Sequence, residues 1–179
     1  MSVLNEKTEI TKKNIHLLIT TLCDRKCPNC CNNLYAFEDI PYVTKDELKE
    51  AENVFLTGGE PFKYSQPDNI AGKLKSDFPN IKKVYAYTNA MELYEYCLFG
   101  VDAGRVDGLT ISIKTLDDKI AFEKYLERHA IHADDIIYYF GDSLKPKVPF
   151  ENDEKYLVKR EWQPLKEWKP APDSIFRKL

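Results

Sequence analysis

The sequence predicts an α/β fold, a partial (β/α)6 barrel with parallel strands, open on one side. Two observations carry this expectation. Six short strand-like segments alternate with helical ones along the chain, and alternation at this spacing favours parallel strands joined by crossover helices. The chain also has 179 residues, 43% of them hydrophobic, which suits one domain of the usual ~100–200 residues with its own core.

The first strand is expected over 15–20 and runs straight into a cysteine cluster. After a loop rich in asparagine and aromatic residues, Thr44 and Glu47 have the spacing of a capping box that opens a short helix. Strand two, over 54–57, stops at Gly58-Gly59. Ile70, Leu74 and Phe78 recur every four residues, so a helix covers the sheet there and ends before Pro79. Strand three spans 83–88, and Asn89 caps the next helix, which stacks Leu93 and Cys97 on one face. In strand four, over 109–114, Leu109, Ile111 and Ile113 face one way and Thr110, Ser112 and Lys114 the other. Thr115 caps a helix with Asp117 and Asp118 in its first turn and Arg128 and His129 in its last, both placements matching the helix dipole. Strand five is expected over 136–140 and strand six over 156–159.

Residues 1–144 form the core of this domain, and 145–179 supply its last strand and an extended C-terminal strap. That strap holds 5 of the 10 prolines, Trp162 and Trp168, and a charge of +3, leaving −6 for the rest. The net charge of −3 offers nothing to attract a polyanion, so nucleic acid is not an expected partner. No apolar run approaches the ~18 residues that span a bilayer, so no membrane is expected. The N-terminal stretch has no apolar core of a secretory signal. Four of the five cysteines, Cys23, Cys27, Cys30 and Cys31, lie within nine residues, and Cys97 stands apart. Such a grouping is a poor disulfide framework and a good metal-ligand cluster, which points to a reducing, cytoplasmic setting.

Cys23, Cys27 and Cys30 are separated by three and two residues. A structural zinc site needs four ligands, usually as two pairs, and no second pair exists here. Cys31 adjoins Cys30, and closing both onto one metal would strain the loop. Three thiolates suit a [4Fe–4S] cluster with one iron left open to a small molecule. Arg25 and Lys26 in the loop are expected to lower the thiol pKa values. At the end of strand two, Gly58-Gly59-Glu60-Pro61 joins a backbone without side chains to a carboxylate, a receptor for an ammonium group, and Pro61 sets the exit of the chain. An ordinary tight turn is the plain alternative for this segment alone. Strands one and two of a parallel barrel are neighbours, so topology brings the cysteine loop and this segment to one rim.

The cysteine triplet after strand one, followed by Gly-Gly-Glu-Pro after strand two, resembles the radical S-adenosylmethionine (radical SAM) superfamily. Tyr87-Thr88-Asn89-Ala90 is similar to its frequent Thr-Asn-Gly, and Ser112-Ile113-Lys114 to the polar stripe that meets S-adenosylmethionine. The resemblance covers roughly positions 15–165. It implies an oxidoreductase in which Cys23, Cys27 and Cys30 hold a [4Fe–4S] cluster whose fourth iron takes the amino and carboxylate groups of S-adenosylmethionine. Gly58, Gly59 and Glu60 would secure the amino group, Ser112 and Lys114 the ribose or carboxylate, and Asn89 would line the same cofactor site. A one-electron donor such as flavodoxin or ferredoxin would reduce the cluster, and the resulting 5′-deoxyadenosyl radical would take hydrogen from a substrate. No side-chain acid or base is required.

Three departures stand out. Asn29 replaces the aromatic residue that usually precedes the third cysteine, leaving adenine to the backbone, Tyr35 or Phe37. Cys31 is a spare thiol, read as a bystander. Ala90 replaces a glycine, so the turn after strand three must avoid positive φ. The chain's small size leaves no room for an auxiliary cluster domain. Two branches are faintly similar. Ser112-Ile113-Lys114 and Gln163-Pro164-Leu165 resemble the 7-carboxy-7-deazaguanine synthase branch, with a small-molecule substrate. Cys27-Pro28-Asn29-Cys30-Cys31-Asn32 resembles the glycyl-radical activases, with a protein or peptide substrate. A zinc or iron–sulfur binding module without enzymatic activity is the alternative of a different class. His16 reads as an ordinary strand histidine, His129 and His132 as helix-end residues, and Tyr138, Tyr139 and Phe140 as sheet filling. Residues 45–52 read as a solvated helix face, and Arg160, Trp162 and Trp168 as tail residues suited to a partner.

Overall fold

A computed structural model of the chain describes residues 13–27, 30–99, 105–128, 135–140, 142–147 and 169–179. Six strands, β1 (Asn14–Thr20), β2 (Asn53–Gly58), β3 (Lys83–Asn89), β4 (Gly108–Ile113), β5 (Asp135–Phe140) and β6 (Ser174–Lys178), form one sheet in the order β5-β4-β3-β2-β1-β6. Every pairing is parallel. The sheet is open, with β5 and β6 at its edges.

The helices are α1 (Lys45–Glu50), α2 (Pro61–Tyr64), α3 (Pro67–Asp77), α4 (Ala90–Leu98) and α5 (Leu116–Arg128). Their starts follow the expected chemistry. Thr44 and Glu47 form a reciprocal capping box on α1. Asn89 accepts from the Glu92 N–H at 3.0 Å, and Thr115 accepts from the Asp118 N–H at 3.1 Å. Phe78 ends α3 just before Pro79.

Alternation along each strand decides which face is covered. Ile15 and Leu17, Val54 and Leu56, Val84 and Ala86, and Leu109, Ile111 and Ile113 share one cluster with Leu48 of α1, Ala71 and Leu74 of α3, Leu93 of α4, and Phe122 and Tyr125 of α5. Consecutive strands lie side by side, so right-handed crossovers put their helices on the same face. The intervening residues point the other way. Phe176, His16, Phe55 and Tyr85 stand in one row across β6, β1, β2 and β3, all half-buried. His16 stacks on Phe55 at 4.8 Å and Phe55 on Tyr85 at 5.0 Å.

The sixth strand differs from expectation. The segment expected over 156–159 lies outside the described residues, as does His129. The observed β6, at 174–178, pairs in parallel with β1 on the side away from β2. It is held further by Val43 N–H to the Lys178 carbonyl at 2.9 Å and by the Arg177 Nε–Glu47 bond at 2.8 Å. No helix among the described residues is long and apolar enough to cross a membrane.

Candidate functional site

The ladder between β1 and β2 slips just before the cysteine loop. Leu18 opposes Thr57, but Thr20 opposes Gly58, leaving Ile19 as an extra residue. A bulge of this kind bends the strand and re-aims the residues beyond it. The chain then crosses Gly58 and Gly59 at close range. A Cβ on Gly58 would lie 2.1 Å from the Thr20 carbonyl oxygen, and one on Gly59 would lie 1.9 Å from that of Leu22. Gly58 also has φ +144°, which side chains rarely adopt. The close approach is fixed by Gly59 N–H to the Thr20 carbonyl at 2.8 Å and Glu60 N–H to the Leu22 carbonyl at 2.9 Å. Topology therefore brings the cysteine loop and the Gly-Gly-Glu segment together, as expected. The glycines serve the chain's own loop, a use that sequence reasoning did not identify.

Glu60 is buried at the start of α2, and its carboxylate is filled. Oε1 accepts from Thr88 Oγ1 at 2.6 Å and the Phe62 N–H at 3.3 Å, and Oε2 from the Asn89 N–H at 3.1 Å and Asn89 Nδ2 at 2.6 Å. Four donors saturate a carboxylate. Instead of presenting a bare receptor for an ammonium group, Glu60 joins the end of β2 to the end of β3. Burial, with Glu92 nearby, pushes its carboxyl up to about 7.

Two ion pairs hold the loop from other directions. Lys63 of α2 reaches Asp24 at 2.6 Å and Glu92 of α4 at 3.3 Å. Arg25 grips Asp118 with Nη1–Oδ2 at 3.0 Å and Nη2–Oδ1 at 2.8 Å, and Asp118 is fully buried. Asp118 Oδ2 also accepts the Lys114 and Thr115 N–H groups, each at 3.0 Å. Arg25 is thus committed to α5. The Cys23 thiol is pushed up rather than down, first by burial and also by Glu60, Cys27 and Cys30 around it. This corrects the expectation that Arg25 and Lys26 lower the thiols together.

Cys27 and Cys30 both lie within electrostatic reach of Cys23. Cys30 shifts the other way, lowered first by the Cys31 side chain and then by the Asn32 N–H and Lys114. Cys31 is raised by the same partnership. Lys114 therefore lies within electrostatic reach of Cys30 and Cys31, and Ser112 is in register with Asn89 on β3 and Tyr139 on β5. Asn32 adds a link that the sequence alone did not reveal. Its Nδ2 bonds the Gly58 carbonyl at 2.9 Å, and its Oδ1 accepts from Tyr35 at 2.5 Å. Tyr35 meets Phe37 and Phe176 edge-on at 5.6 and 5.0 Å, tying this corner to β6. Cys97 packs against the core from α4. The Arg25–Asp118 and Lys63 pairs left no local signal, since their partners are far apart in sequence.

Comparison with known protein families, characterised proteins and solved structures finds no match to this chain.

Proposed function

We propose that this chain is a radical S-adenosylmethionine enzyme in which Cys23, Cys27 and Cys30 hold a [4Fe–4S] cluster. The observation that carries the reading is a loop bearing Cys23, Cys27 and Cys30 that is bonded through its backbone to Gly58–Glu60 at the C-terminal edge of a parallel sheet. That edge is where such sheets gather their reactive groups. The donor set fits, because three soft thiolates suit iron–sulfur ligation, and Cys31 donates instead to Asn32 Oδ1 at 3.7 Å. The chemistry such a cluster supplies is one-electron reduction of the sulfonium, which releases a 5′-deoxyadenosyl radical.

The chain's own residues bind and orient. The Gly58 and Gly59 backbone offers carbonyls to the ammonium group, and Glu60 holds that backbone from behind through Thr88 and Asn89. Ser112 and Lys114 lie at the β4 end for the ribose and carboxylate, while Asn89, buried with its side chain on Glu60 and the Glu92 N–H, braces the rim from behind rather than meeting the cofactor. The row of half-buried rings on the face opposite the apolar cluster floors the space in which a substrate would meet the radical. On this reading the open sheet is the wall of a partial (β/α)6 barrel split between β5 and β6.

Anaerobic reconstitution tests the proposal. About four irons and four sulfides per chain are expected, with 5′-deoxyadenosine formed on reduction in the presence of S-adenosylmethionine. Cys23→Ala, Cys27→Ala and Cys30→Ala should each abolish product, and Cys31→Ala should keep most of it. Stoichiometric zinc without sulfide would assign a binding module instead.

A further inference from the structure

We propose that Asp118 is a positioning residue that holds the cysteine loop in register with the end of β4, acting through Arg25. Asp118 is the most enclosed charge beside the loop, with no exposed surface. One of its carboxylate oxygens accepts the backbone N–H groups of Lys114 and Thr115, which fixes where β4 ends and α5 begins. The same oxygen accepts Arg25 Nη1 at 3.0 Å, and the other lies 2.8 Å from Nη2 as an ion pair without an aligned hydrogen bond, so one hydrogen bond and the paired charges fix the guanidinium to this carboxylate. A single buried carboxylate therefore ties the loop carrying Cys23 and Cys27 to the chain carrying Ser112 and Lys114, across 93 residues of sequence. The Lys63–Asp24 pair is half-exposed and cannot impose the same register.

The consequence for chemistry rests on the proposed function. A ligand that touches the metal on one side and β4 on the other needs the two sides at a fixed separation, and small displacements cost heavily in catalysis. The tether itself rests only on the contacts above.

The test uses the full chain, first without metal. N-ethylmaleimide labelling of Cys27, which is half-buried, followed by mass spectrometry, reports how often the loop opens. Asp118→Asn keeps an oxygen for the two N–H groups and removes the charge, and Arg25→Gln changes only a surface-accessible partner. Each is expected to speed labelling roughly fivefold or more. Arg25→Lys should fall between, because lysine keeps the charge but not the shape and reach of the guanidinium. The double variant should be no faster than either single, and Cys97 should be unaffected. Faster labelling reports a freed loop. With reconstituted protein, Asp118→Asn should raise the KM for S-adenosylmethionine several-fold more than it lowers kcat, at unchanged iron content.

Unchanged labelling in both single variants, or additive effects in the double, overturns the tether whatever the metal content. Equal losses in kcat and in iron would overturn the positioning role. A wild-type chain that takes up no iron while the labelling differences persist removes the proposed function and leaves the tether standing.

Discussion

A methyl group on Gly59 would collide with the Leu22 backbone, whose oxygen, carbon and nitrogen all fall within 3.0 Å of it. Backbone cannot swing aside as a side-chain tip can, so the loop must leave its seat. Gly59→Ala is expected to cost about 3 kcal/mol or more in urea unfolding, in the range of severe steric and strain effects. A loss under about 0.5 kcal/mol would show that the loop does not pack there. Glu60 makes a prediction with a sign. Its ordinary value of 4.5 is pushed up to about 7 by burial, so the folded protein holds this proton more tightly than the unfolded chain does. That contribution to stability is complete below about 4.5 and disappears as pH rises through about 7, amounting to as much as ~3 kcal/mol. The difference in unfolding free energy between wild type and Glu60→Gln should therefore shrink between about pH 5 and pH 7.5. A difference that stays flat across this window would mean that Glu60 titrates normally.

Among the elements, β6 is the one whose place in the sequence says least about its place in the sheet. It covers the outer edge of β1, the strand that leads into the cysteine loop, and Leu179 N–H bonds the Leu18 carbonyl at 3.0 Å. Ending the chain at Asp173 would leave β1 as a bare edge beside a row of aromatic side chains, which invites pairing with other chains. Such a truncation should lower Tm by about 5 °C or more, since ~1 kcal/mol already moves a domain of this size by a few degrees, and it should promote aggregation. Unchanged Tm and light scattering would make β6 an ornament. The helices, by contrast, were readable one by one. The Thr44 capping box, the Asn89 cap and the Thr115 cap are local bonds between residues three apart, and the structure contains each of them.

For the whole molecule, the cluster loop and the core occupy different places. The apolar cluster lies between the sheet and its helices, while the cysteine loop sits beyond the end of β1, anchored through Thr20, Leu22, Asp24 and Arg25. Removing metal from reconstituted protein by chelation should therefore leave the far-UV circular dichroism intact and shift Tm by no more than a few degrees. Conversion to an unfolded spectrum would show instead that the metal completes the fold, as in small zinc domains.

The parallel alternation of strands and helices, the three thiols after β1 and the Gly-Gly-Glu after β2 were all legible in the sequence. Each is written in contiguous residues whose periodicity or spacing fixes local geometry. The pairing of Arg25 with Asp118, the filling of Glu60 by Thr88 and Asn89, the seat that Gly58 and Gly59 make for the loop, and the lodging of β6 against β1 are tertiary facts. Their partners lie dozens of residues apart, and only the packed sheet decides which buried charge meets which donor. The sequence by itself determined which side chains the rim of the sheet carries. Tertiary structure alone decided how that rim is held in register, because desolvated charges and close backbone approaches take their meaning from neighbours that the chain order does not reveal.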